Sequence, residues 1–188
     1  MEKMDVSKEL VKKLMEGVIS DQEVLRLLNS YKDEDRFEKY MELLQEKVPW
    51  DDKILLRLSE HVFVVRKASG DRISKCSCGH EFGDYRVNWK LNCLINVRTT
   101  IQEMSEVYSP EPACPEPQWQ EIREFFCPCC GTQLAVEVLP PGYTVQFEFL
   151  PDIDGLYREQ LSSPLPDEDK YTNEDKSIEL IKSWAKEV

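Results

Sequence analysis

SKCSCGHEF (residues 74–82) sets cysteines at 76 and 78, a glycine at 79 and a histidine at 80. Thiols two positions apart rarely meet with the dihedral a disulfide needs, so a Cys76–Cys78 bridge would be strained. Turning both thiolates about one metal ion suits that spacing better, and it requires a second half-site elsewhere in the chain. CPCCG (127–131) supplies it. The order Cys, Pro, any residue, Cys, Gly has the form of a zinc knuckle. In such a turn backbone amides aim at the sulfurs, and the glycine permits the positive φ that closes it. Cys127 and Cys130 are then the ligands, with Cys129 in the free position between them. Two β-hairpins that each present two thiolates make a zinc ribbon. Cys76, Cys78, Cys127 and Cys130 are therefore expected to complete one tetrahedral Cys₄ site around a structural zinc ion. His80 competes for one position, either beside Cys78 or in place of Cys76.

Four thiolates saturate zinc and leave no open position on which water could be activated. The metal thus predicts stability, not hydrolysis. No P-loop, dinucleotide fingerprint, HExxH or nucleophile elbow occurs, so the sequence offers no catalytic residue of its own. Cys93 and Cys114 stand alone and read as small core residues. His61 opens an apolar run without a partner in sequence and reads as structural.

The composition of the 188 residues agrees with a globular chain: 41% are hydrophobic and 10% aromatic. A net charge of −12 opposes binding to phosphate backbones and anionic membranes. Seven cysteines, an odd number with several in tight pairs, fit a metal in a reducing cytosol better than a secreted disulfide scaffold. The start, MEKMDVSKEL, lacks the apolar core of a signal peptide, and no run approaches a membrane span. The expectation is a cytoplasmic protein with neither a nucleic-acid nor a membrane partner.

Periodicity predicts an α+β fold: N-terminal helices, then an antiparallel zinc-ribbon-like β domain, then a C-terminal tail helix. The expected divisions are 1–49, 50–163 and 164–188. Ser7 can cap a helix whose Leu10, Val11, Leu14 and Val18 share one face, and SDQE (20–23) is a capping box before VLRLLNSY. A third helix from about Asp33 carries Phe37, Tyr40, Met41 and Leu44 and stops before Pro49. These stripes are expected to pack as core, the alternative being docking on a partner. HVFVVRK (61–67) and RISKC (72–76) predict a hairpin around a Ser-Gly-Asp turn that delivers Cys76 and Cys78. LNCLINVR (91–98), EIREFF (121–126), QLAVEVL (133–139) and TVQFEFL (144–150) read as further strands. The prolines of YSPEPACPEPQ (108–118) exclude regular structure. PLPDEDKYTNEDK (164–176) reads as a mobile acidic linker before a helix that Asn173 would cap. In that helix Ile178, Ile181, Trp184 and Ala185 form an apolar stripe, which must fold back or lie on another subunit.

VPWDDKILL (48–56), CSCGHEFGDYRVNWKLN (76–92), FFCPCCGTQLAVEVLPPGY (125–143) and FLPDIDGLYREQLSSPLP (149–166) together resemble the small gamma subunit of acetone carboxylases. The related acetophenone carboxylases carry a similar subunit. The blocks keep the family's order and spacing over roughly residues 20 to 166. The resemblance implies a small zinc-bearing component of an ATP-dependent, biotin-independent ketone carboxylase, which joins a ketone and bicarbonate into a 3-oxoacid. It also implies that large alpha and beta partner subunits, related to the hydantoinase/oxoprolinase proteins, hold ATP, a divalent metal and substrate. Some relatives have a third cysteine where this chain has Gly83. The last twenty or so residues lie beyond the pattern, so nothing carries over to them.

Within these blocks, adjacent Asp51 and Asp52 point apart in extended chain and are expected to form a turn or subunit contact, not a second metal site. Trp89 with Lys90 and Tyr157 with Arg158 are candidate interface anchors, with ordinary packing as the alternative. A stand-alone zinc-ribbon module that binds RNA or a transcription complex is the competing functional class, and the absence of a basic stripe counts against it. A rubredoxin-like iron carrier is the third class; it would be red.

Overall fold

A computed structural model describes residues 6–31, 33–109 and 113–186; part of the Pro-rich loop at 108–118 thus lies outside the described residues. Three helices lead. α1 (Lys8–Met15) is capped by Ser7, whose side chain accepts from the Leu10 amide. α2 (Asp21–Leu28) begins with the reciprocal Ser20–Glu23 capping box. α3 (Arg36–Glu46) starts later than Asp33, because that carboxylate is buried and accepts instead from the Val6 amide at 2.7 Å and Lys39 Nζ at 3.2 Å. Met41 and Leu44 of α3 pack on Ile54, Phe63, Val65 and Ile73, as the helical stripe predicts. The other two stripes differ from expectation. Neither α1 nor α2 contributes a buried residue, and Leu14, Val18, Leu25 and Leu28 are exposed.

Four antiparallel strands follow in sequential order: β1 (Lys53–Arg57), β2 (Val62–Arg66), β3 (Arg72–Cys76) and β4 (Glu81–Asp84). β2 is apolar on both faces because both are covered. Phe63 and Val65 face the α3 layer, Val64 faces Leu55, Ile153, Tyr157 and Leu165, and Val62 joins the cysteine end. A second, three-stranded antiparallel sheet contains β5 (Leu94–Arg98), β6 (Glu121–Phe126) and β7 (Gln133–Leu139). Between β5 and β6 lies α4 (Ile101–Ser105), absent from the sequence reading although Thr100 and Glu103 form a second capping box. It buries Met104 completely.

Two further expectations are corrected at the C-terminal side. TVQFEFL (144–150) forms no strand: β7 pairs with β6 alone, and the main tie of this extended segment is Glu148 to Lys90 Nζ at 2.8 Å. Burial does not follow its alternation: Val145, Gln146 and Phe147 are all half-buried, and Phe149 is exposed. The expected linker is a strap over residues 165–171. Leu165 is buried, Asp167 pairs with Arg72, and the Tyr171 hydroxyl accepts from the Arg72 amide and donates to the Gly70 carbonyl. A fully buried arginine on β3 needs carboxylates, and the strap carries one of them. The last helix, α6 (Ser177–Trp184), is not capped by Asn173. It is tied through Ser177 Oγ, which accepts from the Asn88 amide at 2.8 Å, and through the Lys176 amide on the Arg86 carbonyl. Ile178, Ile181 and Trp184 remain exposed.

The PDIDGLYRE stretch contains a position with a clear steric rule. Asp152 caps the single turn α5 (Ile153–Gly155), its Oδ1 accepting from the Gly155 amide at 2.9 Å; a π-type turn, Leu156–Gln160, follows. A Cβ on Gly155 would lie 2.8 Å from Asp152 Cγ, so alanine must displace the capping carboxylate. Gly155→Ala is expected to destabilise the chain by about 1 kcal/mol, because loss of the cap, worth up to about 2 kcal/mol, outweighs alanine's helix preference of about 1 kcal/mol. Urea unfolding midpoints check this.

Candidate metal centre

Both knuckles sit at hairpin turns. The first joins β3 to β4: the Cys76 amide donates to the His80 carbonyl at 2.8 Å and the Gly79 amide to the Cys76 carbonyl at 2.9 Å. The strand that closes it, β4, was not read from the sequence, which assigned the delivery to the β2–β3 hairpin alone. The second knuckle joins β6 to β7, with the Cys127 amide on the Thr132 carbonyl and the Gly131 amide on the Cys127 carbonyl, both at 2.9 Å. Gly79 and Gly131 have φ of +103° and +69°, a region costly to any side chain with a Cβ. Gly79 also lies under Trp50, whose Nε1 donates to the Ser77 carbonyl at 3.1 Å and steadies the turn from outside.

The sulfurs of Cys76, Cys78, Cys127 and Cys130 all lie within 4.8 Å of one another. Cys76–Cys130 is 4.0 Å and Cys78–Cys127 is 3.7 Å. A zinc ion with sulfurs at about 2.3 Å sets them about 3.8 Å apart in a tetrahedron, so the spacing fits. His80 lies outside this set, its ring edge-on to Phe82 at 5.0 Å. Cys129 is exposed, and Cys93 packs behind Cys76 and Cys127 as a core residue. Burial pushes the Cys93 thiol up to about 12.

The charge balance also fits a cation. Burial pushes the Cys76 thiol well above its ordinary value and also raises Cys127, even though the Cys78 amide faces Cys76 and the Cys129 and Cys130 amides face Cys127. At the exposed rim the Thr132 hydroxyl, 3.2 Å away, and the Thr132 amide hold Cys130 down to about 6. Without a cation the inner thiols keep their protons. A divalent ion reverses that preference and releases them. Thr132 was not singled out in the sequence, although it follows the knuckle glycine directly.

The aromatic and charged motifs around the centre are packing elements. Asp52 accepts from Lys75 Nζ at 2.6 Å and Asp51 faces solvent, so PWDD is a bend that leads into β1 at Lys53. Trp89, Lys90 and Tyr157 are buried, which removes them as interface anchors. Lys90 Nζ bridges Glu137 at 2.7 Å and Glu148 at 2.8 Å, and Tyr157 donates its hydroxyl proton to the Leu55 carbonyl. Arg158 is exposed and pairs with Glu168 and Glu159. Among the described residues, no helix is long and apolar enough to cross a membrane.

Fold and centre together define an α+β, zinc-ribbon-like protein in which two hairpin knuckles converge on four sulfurs. The chain belongs to the acetone carboxylase gamma subunit family, whose profile matches residues 48–161. It is 46% identical over 155 residues to the acetone carboxylase gamma subunit of Xanthobacter autotrophicus, covering 82% of this chain and 92% of that protein. It is also 34% identical over 80 residues to the acetophenone carboxylase beta subunit of Aromatoleum aromaticum, covering 42% of this chain and 62% of that protein. The family match includes both sheets and all four clustered cysteines; the strap and α6 lie beyond it.

Proposed function

We propose that the chain is the small structural subunit of an ATP-dependent, biotin-independent ketone carboxylase, with zinc on Cys76, Cys78, Cys127 and Cys130. Large alpha and beta subunits of hydantoinase/oxoprolinase type would carry ATP, a divalent metal, ketone and bicarbonate, in the cytoplasm. The observation that carries this reading is the family membership over 48–161, together with a four-sulfur centre that leaves a bound zinc no free position. Exposed apolar side chains on several elements, among them Ile95, Trp119, Phe149 and Trp184, are consistent with a surface covered in a complex.

Purification from the native source is expected to bring down two larger polypeptides with this chain. The separated chain is expected to show neither ATP hydrolysis nor ketone carboxylation, and adding it back to the large subunits should restore assembly. Turnover by the rigorously purified small chain would overturn the reading, as would its isolation with no larger polypeptide at all.

A further inference from the structure

A cavity of about 550 Å³ lies between α1, α3 and the first sheet, and it borders the first knuckle through Ser77. Its volume falls in the range of small-molecule sites. One wall is apolar, formed by Leu14, Met15, Leu44 and Phe63. Beside it lie Tyr40, on the α3 face of Leu44, Arg57, the cross-strand neighbour of Phe63, and His61, with Lys47 and Glu60 also lining the cavity. Arg57 donates to the Tyr40 hydroxyl at 2.7 Å and to the carbonyls of Ser59 and Glu60. No carboxylate pairs with it among the described residues. In a chain of net charge −12, a half-buried arginine without a carboxylate is unusual. Tyr40, having accepted from Arg57, has its own proton left without an acceptor among the described residues. The nearest carboxylate to Lys47 Nζ is Glu16 at 3.9 Å. His61 spends one ring nitrogen on Ser77 Oγ at 3.3 Å.

Donors beside an apolar wall, with two guanidinium N–H groups of Arg57 and the Tyr40 hydroxyl proton still to be placed, suit a ligand that is anionic at one end and apolar at the other. The geometry points to a binding site for a small amphipathic monocarboxylate, its carboxylate on Arg57 and Tyr40 and its aliphatic or aryl part against Leu44 and Phe63. The site is independent of the carboxylase reading and is to be tested in the metal-replete chain, because Ser77 of the first knuckle lines it.

Calorimetric titration of the purified full chain with hexanoate, 1-hexanol and inorganic phosphate tests it. Saturable binding of one hexanoate per chain is expected, with hexanol and phosphate at least about tenfold weaker. Tyr40→Phe and Arg57→Gln should each weaken hexanoate by about tenfold or more. Amide shifts on titrating the unmodified chain should cluster in α1, α3 and residues 57–63. Absence of saturable hexanoate binding overturns the proposal. So does equal binding of hexanol, which needs no cation, or of phosphate, which needs no apolar wall. Unchanged affinity in Tyr40→Phe, or shifts centred elsewhere, also overturns it. Should Arg57→Gln lose its native circular dichroism, Tyr40→Phe and the shift map still decide.

Discussion

Cys127→Ala is expected to abolish metal binding and unfold both sheets together. Cys127 and Cys76 are fully buried, and around them pack Val62 of β2, Phe82 of β4, Trp89 and Leu134 of β7. This is the cluster in which the two sheets meet. Few other apolar side chains connect them, so the knuckles serve as the staple. A structural zinc contributes on the order of 10 kcal/mol in small domains, comparable with the whole folding stability of about 5–15 kcal/mol. Losing one inner ligand also lets the remaining inner thiol keep its proton, a form that does not hold the ion. The position in the knuckle sets the size of the effect. Cys130→Ala should be milder, because its sulfur is at the exposed rim where water can replace it. Cys129→Ser should be silent, since Cys129 faces solvent outside the four-sulfur set. Elemental analysis gives metal per chain and circular dichroism gives the fold. A Cys127→Ala chain that keeps one metal and a native spectrum refutes the assignment.

The centre was legible in the sequence because knuckle chemistry is local. A glycine after the cysteine pair, the proline in CPCCG and the flanking apolar runs mark each turn locally, although Trp50 also steadies the first from outside. The helical caps at Ser7 and Ser20 were legible for the same reason. What escaped was long-range. KILLR in β1 carries no turn signal of its own and becomes a strand by pairing with β2. EFGD in β4 is short, its register broken by a bulge opposite Ser74 and Lys75. TVQFEFL shows the converse error: period-two alternation alone does not supply a ladder partner. The acidic strap was misread because charge density suggests a solvated linker. Its carboxylate and tyrosine are instead the partners of a buried cation 95 and 99 positions earlier in the chain.

That cation, Arg72, is expected to give the second large effect. Its side chain is 0% exposed. Nη1 and Nη2 bind both oxygens of Asp154 at 2.9 and 2.7 Å, and Nε reaches Asp167 at 3.3 Å. The guanidinium also lies 4.5 Å from the centroid of the Tyr171 ring. Burial alone would lower the arginine's affinity for its proton, but the two carboxylates more than offset it. Arg72→Ala leaves Asp154 largely buried without its cation, and Asp167 with Arg66 alone at 3.2 Å, which costs about 3–5 kcal/mol. Arg72→Lys should recover only part of this, because an ammonium cannot make the two-pronged contact. A substitution with a small pH-dependent readout separates charge pairing from lost volume. For Asp167, burial favours the protonated acid, yet the hydrogen bond and charge of Arg72 hold the carboxyl below the ordinary aspartate value. A group with a depressed folded-state value stabilises fully above its unfolded value and loses that contribution as pH falls through the folded one. The gap in unfolding free energy between the native chain and Asp167→Asn should therefore be constant from pH 7 to about 5 and close below about pH 4. Taking the difference at each pH cancels proton competition for the sulfurs, which is common to both chains. A gap that persists unchanged to pH 3 would mean that Asp167 holds the strap by shape rather than by charge.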